Sequence, residues 1–201
     1  MTRIVLASAS RRRQALLRAL GINFEVMVSD VEERFEGDPA AMVITNARAK
    51  RNDVAARIDG PALVIAADTL VFLGERILGK PADKDEARAM LAALSGRTHR
   101  VLTGLALLDK SSGKTAEGYE ATDVTFRPLS AHEIDQFVAT VHPIDRAGAY
   151  TVDGPGSLLI ERYNGCYQNV LGFPIVRLDL LLREFGYSLF DLMNASECQF
   201  L

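Results

Sequence analysis

The chain has 201 residues, 48% of them apolar, with 23 Lys and Arg against 26 Asp and Glu for a net charge of −3. That length and apolar share suit one compact domain, or two closely joined lobes, and exclude a disordered chain. The weakly acidic balance argues against non-specific nucleic-acid binding, which rests on spread-out Lys and Arg, yet a local basic cluster can still hold a small anion.

Cys166 and Cys198 form neither a disulfide framework nor a metal-ligand spacing, so a cytoplasmic, reducing setting is expected. The opening stretch Met1–Ala7 carries no long apolar run before Arg11, so no signal peptide is expected. No run approaches the roughly 20 apolar residues of a membrane span, and no membrane partner is expected.

In chain order, Arg3–Ala7 reads as a short buried strand and Ser8–Ser10 as a turn. A helix follows from about Arg11 to Leu20, closed by Gly21. Phe24–Val28 alternates like a strand. Asp38-Pro39 starts a helix that runs to about Ile58 and carries Lys50. Ala62–Ala67 reads as a buried strand ending at Asp68-Thr69, and Leu70–Leu78 as a hairpin around Gly74-Glu75. Asp83–Glu86 resembles a capping box before a helix with Ala87, Met90, Leu91 and Leu94 on one face. His99–Leu108 and Thr122–Arg127 read as long strands around a polar turn with Gly113. Ser130–Glu133 is a second capping box, placing Ile134, Phe137, Val138 and Val141 toward the core. A glycine-rich stretch spans Gly148–Gly172, Pro174 opens a last helix to about Phe185, and the tail after Gly186 is expected to be peripheral. Helices alternate with strands and hairpins interrupt them, which predicts an α/β fold with a mixed sheet.

Ser8-Ala9-Ser10-Arg11-Arg12-Arg13 sits where a strand gives way to a helix. Unpaired N–H groups and the helix dipole favour an anion there, and three arginines at the positive end of a dipole are a local conflict that an anion would resolve. The alternative is a solvated basic turn. Asp68, at the expected end of a buried strand, suits metal binding or water activation, against the alternative of a turn aspartate. Taken singly, Lys50, Lys80 and Glu33 read as solvated surface charges. Gly74–Pro81 nearly matches a P-loop but fails it, since Pro81 supplies neither hydroxyl nor N–H. His99, His132 and His142 are too scattered for a metal triad, and Cys166 reads as an ordinary free thiol.

Seven segments, in order and spread from Leu6 to Pro174, together resemble the Maf family of nucleoside triphosphate pyrophosphatases. They are Leu6–Arg13, Ala49-Lys50, Ala67-Asp68-Thr69, Ile77–Pro81, Leu94–His99, Asp145–Tyr150 and Tyr163–Pro174. The resemblance implies an α/β fold with a mixed twisted sheet flanked by helices, similar to Maf and Ham1 proteins, with two lobes and a cleft, often in a homodimer. It implies hydrolysis of nucleoside triphosphates to monophosphate and diphosphate with Mg2+ or Mn2+. The substrates it implies are pyrimidine nucleotides (dTTP, UTP, CTP) or modified ones, in house-cleaning of the nucleotide pool. It assigns Asp68 as proton acceptor, Ser8, Arg12, Arg13, Lys50 and Lys80 to the triphosphate, and Glu33 with Asp68 to the metal. Arg12, Thr69 and Asp153 fall at positions linked to substrate choice.

Two departures stand out: Arg11 replaces the usual proline, and Asp153 stands where the pyrimidine-preferring branch carries glutamine. An ionised Asp offers acceptors only, which would favour a base edge bearing N–H groups, as in cytosine or guanine. A nucleotide sensor without turnover, involved in division arrest, is the alternative. Few aromatic residues and no Trp argue against an RNA-binding module.

Overall fold

The computed structural model describes residues 3–199, so Met1 and Thr2 of the opening stretch lie outside it. The described residues contain strands β1 (Ile4–Leu6), β2 (Glu25–Val26), β3 (Leu63–Leu73), β4 (Arg76–Leu78), β5 (Thr98–Asp109), β6 (Thr115–Phe126) and β7 (Ile160–Asn164). The main helices are α1 (Arg11–Ala19), α2 (Pro39–Ala56), α3 (Lys84–Leu94), α4 (Ala131–Val141) and α6 (Ile175–Arg183). Single turns form α5 (Tyr167–Val170) and α7 (Leu189–Leu192). The sheet runs β2-β1-β3-β5-β6-β7, with β4 paired to β3. It is mixed: β1 pairs in parallel with β2 and β3, while β3–β4 and β6–β7 are antiparallel.

The chain forms two compact units. The first comprises the chain up to Thr69, Thr103–Glu120 and the chain from Gly172, and the second comprises Leu70–Leu102 and Ala121–Leu171. In the first unit, side chains alternate across the strands and build two cores. Leu6, Leu63, Ile65, Leu105 and Leu107 pack with Leu17 of α1 and Leu178 and Leu182 of α6. Val5, Ala7, Val64 and Ala66 pack with Val54 and Ala55 of α2. A strand with both faces buried reads as an unbroken apolar run, which is why Ala62–Ala67 was legible as one. The alternation has a consequence at the polar end of that run. Thr69 shares a face with Ala67 toward α1, and Asp68 shares a face with Ala66 toward α2.

Close approach of α2 depends on Gly104. A Cβ there would land on the Val43 carbonyl and within 2.7 Å of the Ile44 nitrogen, both backbone atoms of α2 that cannot rotate away. Gly104→Ala is therefore expected to destabilise the protein by about 3 kcal/mol, read as a fall in the urea midpoint at unchanged slope.

The helix starts follow their caps. Ser10 caps α1 and Asp38 caps α2 with Pro39 in the first turn. Asp83 accepts from the N–H groups of Asp85 and Glu86, and Ser130 and Glu133 form a complete capping box. At the first of these, Glu86 reaches the Ala82 N–H and not that of Asp83. Three sequence expectations change. β3 does not end at Asp68 but continues to Leu73. The glycine-rich stretch contains strand β7, paired with β6. The tail after Gly186 forms α7, whose Leu189 is buried in the α1/α6 core. The tail also passes against Gly21, whose left-handed φ of 65° closes α1 and whose missing Cβ leaves room for the Asn194 carbonyl.

The second unit packs α3 and α4 on Val71, Val101, Val124 and Phe126. Within it His99 is buried, donating to or accepting from the Tyr150 hydroxyl through Nε2 at 2.7 Å and meeting Phe126 and Tyr150 edge-on. Burial lowers its pKa from 6.5 to about 4, with the Asp123 charge opposing. Between those values the unfolded chain binds the proton and the folded chain does not. The contribution is thus complete above pH 6.5 and lost as pH falls toward 4. About 3 kcal/mol is at stake by that linkage. Urea titrations from pH 7 to 4 should show the slope, and His99→Leu should flatten it above pH 4.5, where Glu133, held at about 2 by Ser130 and Arg127, does not yet contribute.

Candidate active site

On the α2 face of β3, Asp68 is 2% exposed and uses both carboxylate oxygens. Oδ1 accepts from Lys50 Nζ at 2.6 Å, and Oδ2 accepts from Asn46 Nδ2 at 3.0 Å. Lys50 also donates to Glu33 Oε1 at 2.6 Å, so one ammonium lies between two carboxylates. Asn46 and Lys50 are four residues apart on α2 and share a face. Glu33 comes from the exposed segment between β2 and α2.

On the α1 face, Arg13 is tied into the protein. Its Nε donates to Gly172 O (2.8 Å), Nη1 to Ala67 O (2.9 Å) and Ser8 Oγ (3.1 Å), and Nη2 to Thr69 Oγ1 (3.0 Å). Four of the five guanidinium N–H groups are thereby committed. Burial lowers the Arg13 pKa, the Asp68 charge raises it, and the neighbouring Arg12 charge lowers it further. Thr69 Oγ1 also meets Thr103 Oγ1 at 2.9 Å. Ser8 Oγ accepts from the Ser10 N–H at 3.2 Å, which fixes the turn ahead of α1. The first turn of α1 carries no acidic residue to offset its dipole, and Arg12 lies half-buried there.

The structure thus places Ser8, Arg12, Arg13, Glu33, Lys50, Asp68 and Thr69 in the first unit, with Arg13 and Lys50 meeting one segment of β3 and the Arg12 charge acting on Arg13. Lys80 and Asp153 belong to the second unit, where both are exposed. Lys80 follows β4, beside Gly79, whose carbonyl accepts from the Gly148 N–H at 3.0 Å. Asp153 accepts from the Thr151 hydroxyl. Sequence reasoning missed Asn46. Its signal was the i,i+4 spacing to Lys50.

Among the described residues no three His, Cys, Asp or Glu side chains cluster as a ready-made metal site. Glu33 and Asp68 nonetheless aim one oxygen each at a single cation position, now held by Lys50. Carboxylate oxygens suit Mg2+ or Mn2+, which commonly take the rest of their ligands from phosphate and water. The donor set fits such an ion as a partial site.

These features define an α/β protein whose central strand presents a carboxylate–ammonium cluster on one face and a guanidinium cradle on the other. The family follows from comparison: residues 3–185 match the model described as Maf-like protein, and the chain belongs to the Maf family. It is 46% identical over 190 residues to a dTTP/UTP pyrophosphatase of Pelotomaculum thermopropionicum, covering 94% of this chain and 99% of that one. A dTTP/UTP pyrophosphatase of Desulforamulus reducens is 45% identical over 187 residues, covering 92% and 98%. One of Alkaliphilus oremlandii is 46% identical over 186 residues, covering 92% and 96%.

Proposed function

We propose that this chain hydrolyses nucleoside triphosphates to the monophosphate and diphosphate. The observation that carries the reading is the buried Asp68 carboxylate, fixed through both oxygens beside Lys50 and on the same strand segment as the arginine cradle. The relatives' shared activity name supports it.

Water must form a bond to the α-phosphorus while the bond from that phosphorus to the bridging oxygen breaks and diphosphate leaves. Asp68 orients the water and accepts its proton. Lys50 and Arg12 offset the negative phosphate oxygens that repel the nucleophile, and the N-terminus of α1 adds its dipole. Arg13 has one N–H left for the triphosphate, so its main part is to hold Ser8 and Thr69 in place. Glu33 and Asp68 would hold Mg2+ or Mn2+, which when bound would polarise phosphate and acidify water. Lys80 contributes charge to the triphosphate, and Arg12, Thr69 and Asp153 bear on the base; for Lys80 and Asp153 the support is the family resemblance. The protein would act as a homodimer in the cytoplasm, cleaning the nucleotide pool. Among the described residues no helix is long and apolar enough to cross a membrane.

The test is diphosphate release from a panel of common and modified nucleoside triphosphates with Mg2+ or Mn2+. Release from dTTP, UTP, CTP or a modified subset supports the reading, and faster release from cytosine or guanine nucleotides supports the Asp153 argument. Tight nucleotide binding without release from any of them would favour the sensor.

A further inference from the structure

We propose that Asn46 is a positioning residue for this reaction, supporting both carboxylates around Lys50. The inference rests on the hydrolase reading above. Asn46 is 2% exposed on α2, and both ends of its amide are engaged, with three of its four hydrogen-bond positions filled. Oδ1 accepts from the Arg34 N–H at 2.8 Å, and Nδ2 donates to Arg34 O at 3.0 Å and to Asp68 Oδ2 at 3.0 Å. The first two bonds seize the backbone of the residue next to Glu33. The third fixes one Asp68 oxygen and so directs the other at Lys50.

Beyond Asn46, the segment before α2 is held by the Lys50–Glu33 ion pair and, nearer β2, by the Asp30 N–H donating to Asp53. Glu32–Gly37 are exposed, and a cavity of about 360 Å³ is lined by Val31, Glu32 and Arg34 on one side and by Thr45, Arg48 and Ala49 of α2 on the other. A buried asparagine inside an 18-residue helix also runs against local preference, since its amide competes for backbone bonds and leucine is the better helix former. Such a conflict between local preference and position is the mark of a site where the side chain serves something other than the helix.

The direct test is Asn46→Leu, which fills similar space, suits the helix and removes all three bonds. Arg34 is an exposed residue and its two bonds to Asn46 are only partly buried, so water can replace the lost partner. Expected are a kcat lower by about tenfold, by analogy with other supporting residues, and a KM within about twofold, the pattern of an interaction that matters in the transition state. Tm should fall by a few degrees, because the buried Asp68 Oδ2 loses its hydrogen bond. Exchange of the Arg34 amide, the one in this segment that donates to Asn46, should accelerate by at least about tenfold. Asn46→Asp keeps the shape and one acceptor but loses both donors, so it should lower kcat at least as much, and it decides the matter if the leucine variant does not fold. Wild-type kcat with unchanged exchange would overturn the inference, as would a fall in Tm with kcat retained. Exchange requires no turnover: a wild-type protein that releases no diphosphate would end the hydrolase reading, while the exchange comparison would still decide whether Asn46 clamps the segment.

Discussion

Asp68→Asn is expected to lower turnover about a thousandfold, within the range for loss of a general base, and to leave the fold intact. The side chains are nearly isosteric, and the site is buried in a continuous strand. What changes is acceptor capacity. Asp68 serves Lys50 with one oxygen and Asn46 with the other, whereas an asparagine has a single oxygen for those two donors. Asn46 cannot simply turn over to compensate, because its own oxygen and nitrogen are held by Arg34. One charge-assisted hydrogen bond is thus lost and Lys50 keeps only Glu33 as its ionic partner, together a cost of about 2 kcal/mol, less than the stability of a typical domain. The negative charge proposed to accept the water's proton is lost entirely. Rates of diphosphate release and Tm measured on the same preparation check both halves; near-normal turnover would refute the role given to Asp68.

Lys50→Met is expected to have the second-largest effect, lowering kcat/KM about a hundredfold, the size seen when one charge-stabilising donor is removed. Unlike the first change it should also cost stability. The lysine ammonium separates Glu33 from Asp68, and its side chain is 14% exposed against 3% for that of Asp68. Removing it leaves a buried carboxylate without its cation, which typically costs about 3 kcal/mol. Glu33 is more exposed and would contribute little of that. Two oxygens would then face a cation position without a resident ammonium. Mn2+ should therefore raise the Tm of Lys50→Met more than that of the wild type, as binding to the folded state alone must. Equal Tm shifts in the two proteins would argue against Glu33 and Asp68 as metal ligands.

The local elements were legible because their signals are local. Ser10, Asp38-Pro39, Asp83 and Ser130 mark helix starts by groups that bond within three residues, and the structure places caps at each. The resemblance gathered the site residues in order, and the fold sets seven of them in one unit. What escaped depends on partners distant in sequence. Asp68-Thr69 looked like a strand end because polar residues usually are; it is strand interior because α2 and α1 supply polar partners on opposite faces. The partners of Arg13 include the carbonyls of Ala67 and Gly172, which no side-chain pattern encodes. β7 is a mostly exposed strand, so it shows little of the apolar alternation that betrays a buried one. Asn46 lay in plain view at helical spacing from Lys50, but its meaning appears only once β3 and the Arg34 segment meet α2.

The most direct test of the proposed reaction is to hydrolyse dTTP or UTP in 18O-labelled water and locate the label by 31P NMR and mass spectrometry. Attack at the α-phosphorus predicts one 18O in the nucleoside monophosphate and none in the diphosphate. Label in the diphosphate, or orthophosphate as the first product, would contradict it.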